Sequence, residues 1–294
     1  MFVVQYRGIW FALSGVLLAL SAWAIFTYGF NFSIDFKGGT ITEAKYVERP
    51  EKELIESNIE RLSLGGFSVR PSGKTNYIIR TRELGNDERI ALNKALGTPT
   101  IERQNTIGPT AGAELKSKAI KAILVVILMI VLFITFAFRN ISRPVSSWKY
   151  GLVTIVALAH DVVIPTGIFV YLGYALGIEI DLLFVSGLLA ILGYSVHDTI
   201  VVFDRVRENL RVNVEMNKKE EFETTVDNSI VQTIARSINT SLTLLIVLAV
   251  LYIVGSSATK DFTLLLLIGV IAGTYSSIFV ASPLLVTFYK LQKN

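Results

Sequence analysis

The chain has 294 residues, a mean hydropathy of +0.54 and 52% hydrophobic side chains, with only 18% charged. A single soluble core would carry about 25% charged residues, so the composition excludes one and points to apolar blocks alternating with water-exposed ones. The net charge of +4 does not indicate nucleic-acid binding, because the excess Lys and Arg fall in short loops between apolar runs, and the lack of cysteine excludes disulfide and thiolate chemistry.

In chain order, the first apolar run covers residues 9–29. Ala22-Trp23-Ala24 imitates a signal-peptide cleavage site, but it lies inside the run. The run also exceeds the ~7–15 residues of a signal-peptide core, so an uncleaved anchor is expected. Residues 31–116 then read as one folded domain. ITEAKYV (41–47) alternates as a strand, and PEKELIESNIERLSLGG (50–66) places Leu54, Ile55, Ile59 and Leu62 on one helical face. FSVRP and TNYIIRTRE read as strands around a Ser-Gly turn. NDERIALNKALG reads as a helix capped by Asn86 or Asp87 and stopped by Gly97, and TIERQNTIG as a last strand. The order β-α-β-β-α-β is the split, ferredoxin-like α+β pattern. Charges in this domain nearly balance, which argues against a polyanion-binding surface. SGKT (72–75) imitates the end of a phosphate-binding loop, but that motif needs glycine where Ser68 stands.

Five further runs lie near 121–138, 150–173, 182–203, 237–255 and 262–289. Each is long enough to cross a bilayer, which takes ~20 apolar residues. The expected fold is therefore a polytopic α-helical membrane protein with six transmembrane helices and an α+β domain between the first two. GYALG (173–177) and GVIAG (269–273) have the small-xxx-small spacing of close helix contacts. Arg139, Arg143 and Lys149 fill one loop, and Arg205, Arg207, Arg211, Lys218 and Lys219 another, while the loop with Glu179 and Asp181 has no Lys or Arg. The positive-inside rule then places both termini in the cytoplasm and the α+β domain outside. The expected division is 1–30 for the N-terminal tail and first span, 31–116 for the extracytoplasmic domain, and 117–294 for the remaining spans with a cytoplasmic loop at 204–236.

Two spans carry ionisable pairs: His160-Asp161 in the third and His197-Asp198 in the fourth. A charge at mid-bilayer costs about 2.5–3.5 kcal/mol on insertion scales. Counted from the cytoplasmic ends of their runs, Asp161 lies about 16 Å deep and Asp198 about 8 Å. Pro165 deprives the carbonyl of residue 161 of its helical partner. Tyr194, Ser195, Asp198 and Thr199 fall on one side of a helix, so a hydroxyl at Ser195 or Tyr194 is placed to bond Asp198 or relay its proton. Arg236 opens the fifth run and is suited to neutralising a buried carboxylate. These groups read as structural polar contacts, as a proton relay, or as a metal site. Neighbouring helix residues point about 100° apart, which disfavours the metal. No hydrolase triad or closed metal set is evident, so neither an enzyme nor a cofactor is expected.

GYSVHDTIVVFDRVREN (193–209) and SIVQTIARSINTSLTLL (229–245) resemble the SecF side of the SecD/SecF protein-export family. IDFKGGT (34–40), IGPTAGAELKSKA (107–119) and ALAHDVV (157–163) also resemble its motifs. The family is similar to resistance-nodulation-division transporters. The resemblance implies a cell-membrane protein that pairs with SecD and aids late steps of polypeptide translocation through the SecYEG channel, coupled to inward proton flow. YajC and a YidC-type insertase are further implied partners. The family's membrane aspartate matches Asp198 and its arginine Arg236, with Asp161 a third candidate for the relay. The charge state of Asp198 is expected to control its pairing with Arg236. His197 stands where the family often has Asn, so it carries over no role. It is grouped with His160, Ser195, Tyr194 and Thr199 as auxiliary. Gly38-Gly39 reads as a hinge or as a tight turn. A small-molecule exporter of the same superfamily and a non-transducing translocon subunit remain the alternatives.

Overall fold

The computed structural model describes residues 2–97, 99–138 and 146–293. Arg139 and Arg143 lie outside the described residues. The elements run α1 (Phe2–Gln5), α2 (Arg7–Tyr28), α3 (Ile34–Lys37), β1 (Gly39–Lys45), α4 (Lys52–Glu60), β2 (Phe67–Ser72), β3 (Asn76–Thr81), α5 (Asn86–Ala95) and β4 (Thr100–Ile107). Long helices follow: α6 (Pro109–Ala137), α7 (Ser147–Leu176), α8 (Leu182–Glu215), α9 (Phe222–Val254) and α10 (Ser257–Ser276). A π-helical turn (Ser277–Ala281) joins α10 to α11 (Ser282–Lys293). Two compact units result, one of Met1–Asn31, Ala122–Ile178 and Leu183–Asn294, the other of Phe32–Lys121 with Glu179–Leu182.

The second unit is a four-stranded sheet in the order β2-β3-β1-β4, every neighbouring pair antiparallel. With α4 and α5 in the connections, this is the ferredoxin-like arrangement expected from the element order. Alternation decides the faces. On β3, Tyr77, Ile79 and Thr81 are buried, and between them Ile78 and Arg80 are only half-buried. Ile79 packs with Ala44, Val69, Ile55 and Ile59 of α4, and Leu92 of α5. Leu54, expected on the inner face of α4, is 54% exposed, and Leu64 beyond the helix is buried in its stead. The cap of α5 also differs from expectation. Gly85 is the N-cap, and Glu88 reaches back to accept its N–H at 3.0 Å.

Arg80 faces away from the helices and forms an ion pair with Glu179 at 2.8 Å. The same short segment is stitched to the start of the unit: Ser33 N–H donates to the Ile180 carbonyl at 2.9 Å and Leu182 N–H to Asp35 Oδ2 at 3.0 Å. Burial pushes the Glu179 carboxyl above the ordinary carboxylate range, against the opposing pull of Arg80, Arg70 and Lys37.

Gly38 and Gly39 have φ of 78° and 132°, in the region that favours glycine. A Cβ on Gly38 would lie 2.8 Å from Pro109 Cα, and one on Gly39 2.6 Å from the Thr81 carbonyl oxygen. The pair is a packed turn that lets β1 start against β3 and the head of α6.

Among the described residues, six helices are long and apolar enough to cross a membrane, as the apolar runs predict. More than half of the apolar window is buried in α7, α8 and the α10–α11 span, against fewer than a fifth of positions in α2, α6 and α9. The first three form the centre, and the exposed Leu, Ile and Val of the others suit a lipid-facing surface. Gly269 and Gly273 of α10 face Ile191 and Ser195 of α8, with an added Cβ 2.1 Å from Ile191 Cδ1 and 3.1 Å from Ser195 Cβ. GVIAG thus acts as a packing stripe, whereas GYALG ends α7.

The stretch 204–236, expected as a cytoplasmic loop, is mostly helix, because α8 runs on to Glu215 and α9 already begins at Phe222. Buried Val206, Phe222, Val226 and Ile230 extend the core beyond the apolar runs, which is why the helices persist there. Glu220 closes the intervening turn, accepting from Asn213 Nδ2 at 2.7 Å, Thr225 Oγ1 at 2.8 Å and Asn228 Nδ2 at 2.9 Å. These bonds, that of Asn213 first, hold its carboxyl below the ordinary range.

Candidate functional site

Asp161 on α7 and Asp198 on α8 are both buried, at 0% and 7% exposure. Helical periodicity turns Asp198 inward with Ser195, Thr199 and Val202, all buried. His197, one residue earlier, is exposed on the flank of the helix, as its position on the helix predicts.

Asp161 has three hydrogen-bond partners. His160 Nδ1 lies 2.8 Å from Oδ1, while Ser195 Oγ and Ser276 Oγ, the latter at 2.6 Å, donate to Oδ2. The His160 ring stacks on Tyr275, with centroids 5.8 Å apart. Asp198 accepts from Ser277 Oγ. Tyr194 reaches neither carboxylate. Its hydroxyl sits 2.6 Å from Ser241 Oγ and 3.2 Å from Thr274 Oγ1, closing a ring of hydroxyls among α8, α9 and α10. Two sequence expectations are thereby corrected: Ser195 serves Asp161, not Asp198, and Tyr194 serves a separate cluster. On a helix, i to i+3 neighbours share a side, but the adjacent helix decides which acceptor each hydroxyl meets.

Arg236 is exposed on α9, and among the described residues no ion pair joins it to Asp198. The stripe that α9 buries is Ser229, Thr233, Ser237 and Ser241, at intervals of four. Arg236 is one position off that stripe and so rotated about 100° from it. It lines a polar groove with Asp204, Arg205, Glu208, Gln232 and Thr233. The charges of that groove already pair locally, Arg205 with Glu208 at 2.6 Å and Arg207 with Asp204 at 3.5 Å.

Four consecutive residues of the sixth span reach four different helices. Thr274 meets α8 and α9, Tyr275 donates to the Trp10 carbonyl of α2 at 2.9 Å, Ser276 meets α7, and Ser277 meets α8 again. Sequence reasoning missed Ser276 and Ser277. The available signal was TYSSIFVASP (274–283), a run of hydroxyls in an apolar span closed by proline.

Comparison with known proteins gives a consistent result. The family described as protein export membrane protein SecD/SecF, C-terminal, matches residues 89–291, and the SecD/SecF GG motif matches 23–47, a stretch that includes Gly38-Gly39. Protein translocase subunit SecF of Thermobaculum terrenum is 36% identical over 97% of this chain and 93% of its own. Protein translocase subunit SecDF of Thermus thermophilus is 33% identical over 95% of this chain and 37% of its own. The crystal structure of SecDF, a translocon-associated membrane protein from the same organism, superposes with a TM-score of 0.84 at 32% identity, covering 99% of this chain and 40% of that one. With two matched segments reaching from the first span to the last, and a fold shared over nearly its full length, the chain belongs to the SecD/SecF protein-export family as a SecF-type translocase subunit.

Proposed function

We propose that the protein works as the SecF half of a SecD–SecF pair, using the proton-motive force to assist late steps of polypeptide translocation through the SecYEG channel. The SecDF relatives, named as one translocase subunit, support the pairing. YajC and a YidC-type insertase are the further neighbours. Arg205, Arg207 and Arg211 in the last turns of α8, with Lys218 and Lys219 just beyond it, support cytoplasmic termini in the cell membrane, with the sheet domain, 31–116, on the far side.

One observation carries the proton reading. Two carboxylates are buried at the centre of the spans, and among the described residues the groups that bond them are hydroxyls and one imidazole, with no Lys or Arg. A hydroxyl serves either protonation state, donating to a carboxylate and accepting from a carboxylic acid. A guanidinium has no acceptor and suits the charged state alone. The site therefore holds its acids without fixing their charge, as a carrier of protons requires. Arg236 stands off Asp198 in this arrangement, and their pairing belongs to another step of the cycle, when α8 and α9 have shifted. The alternation of pairing and release moves the spans and, through them, the outer domain. The test is Asp198→Asn in vesicles reconstituted with SecD and the channel. Loss of proton-gradient-stimulated translocation is expected, and undiminished stimulation sinks the reading.

A further inference from the structure

The two membrane carboxylates are held from the sixth span by adjacent residues, and each of those hydroxyls has a second acceptor within reach. Ser276 Oγ lies 2.6 Å from Asp161 Oδ2 and 3.1 Å from the carbonyl oxygen of Gly273. Ser277 Oγ contacts Asp198 Oδ2 and lies 3.1 Å from the carbonyl oxygen of Thr274. A serine has one hydrogen to donate. Each of these serines therefore stands between a side-chain acid and its own backbone.

The helix changes form at the same place. From Ser277 to Ala281 it widens to a π turn, and Ser282 Oγ donates to the Ser277 carbonyl at 3.0 Å. Single π turns inside α-helices are points of bending. A serine that donates back to its own helix bends it further. The backbone here is thus poised between two geometries, and the two serines at its start touch the two acids.

Resting on the proton-carrying reading above, we infer that Ser276 and Ser277 are two-position hydroxyl switches, through which protonation of Asp161 and Asp198 sets the α-to-π junction of the sixth span. With the carboxylate charged, the serine hydrogen points at it. When the carboxylate gains one proton, the new acid O–H donates to serine Oγ. The serine hydrogen then turns to Gly273 or Thr274, and no other bond to hydrogen breaks. The added donor at that carbonyl bends the turn. Gly273 packs against Ser195, and Thr274 ties to Tyr194 and Ser241, so the bend is felt by α8 and α9 together.

The ionisable groups facing this site are few. His160 bonds Asp161, Tyr275 stacks on His160, and Tyr194 bonds Thr274. Among the described residues, α2, α9 and α11 bring no ionisable side chain into hydrogen bonding with either acid.

The test is infrared difference spectroscopy of the full chain in lipid nanodiscs between acidic and alkaline pH. The carboxyl band of Asp198 is identified by its loss in Asp198→Asn, and that of Asp161 by its loss in Asp161→Asn. Ser277→Ala is expected to displace the Asp198 band and move its titration midpoint by about one pH unit or more, the worth of one hydrogen bond to a charged group. The Asp161 band stays in place. Ser276→Ala does the converse, and Ser277→Thr, which keeps the hydroxyl, restores the wild-type Asp198 band. A band and midpoint unmoved by Ser277→Ala overturn the inference, as does a wild-type chain with no titrating carboxyl band. The two readings fail separately. Undiminished stimulation in Asp198→Asn removes the proton-carrying function whatever the spectra show. Unmoved bands alongside lost stimulation remove only the switch.

Discussion

Two regions of the molecule bury an acid, and they treat it in opposite ways. In the sheet unit, Glu179 sits at 10% side-chain exposure against Arg80, with Arg70 and Lys37 also acting on it. In the spans, Asp161 and Asp198 are as deeply buried, yet hydroxyls and a histidine hold them. Cations favour the charged form of an acid, here against a larger opposing effect of burial, and removing one leaves an uncompensated buried ion. Hydroxyls favour neither form. One arrangement builds a fixed clasp and the other a group free to change.

The contrast can be broken most forcefully at the clasp. Arg80→Met should destabilise the sheet unit by about 3 kcal/mol, the usual cost of stripping one partner from a buried pair. Amide hydrogen exchange of β1 and β3 in the full chain reads this loss. Replacing Glu179 by Met as well should recover most of it, and a double variant as unstable as the single one would show that the pair is no clasp.

A smaller effect comes from pH. The folded-state pKa of Glu179 is raised above its unfolded value of about 4.3. Its contribution is therefore complete below that unfolded value and is lost as pH rises through the folded one. Exchange protection of β3 should fall over that window in the wild type, and Glu179→Gln should remove this part of the slope.

The smallest effect is expected at Glu220, which is lowered by its amide and hydroxyl donors rather than raised. Its contribution is present above the unfolded value and is lost as pH falls through the folded one. Glu220→Gln should cost below about 1 kcal/mol, because the turn is largely open to water. Exchange of the amides of 213–225 would register it, and a loss as large as that of Arg80→Met would erase the distinction between surface and buried acids.

Much of this was legible in the sequence, for a physical reason in each case. Apolar runs of bilayer length reveal spans, and the strand and helix periods of 41–107 reveal the sheet unit. Helix ends were less legible. Residues 204–215 and 222–236 are helical outside the apolar runs, where hydropathy is silent and tertiary packing of Val206 and Phe222 decides. Asp161 and Asp198 were visible because a charge stands out in an apolar run. Their partners were not. Ser195 has the right spacing for Asp198 but faces α7, and Ser276 and Ser277 look like ordinary small residues until the folded bundle aligns them. Arg236 was singled out for its charge, and its direction depends on which stripe α9 buries.

The clasp at Glu179 also bears on how the chain is made. The sheet unit is completed by residues 179–182, which follow α6 and α7 in sequence. A ribosome must therefore synthesise two more helices after β4 before that unit receives its last piece. Until then Arg80 waits for the acid it will pair with. Maturation of the domain is thereby tied to the progress of insertion, and a fragment ending at Lys121 would present an unfinished version of the same fold.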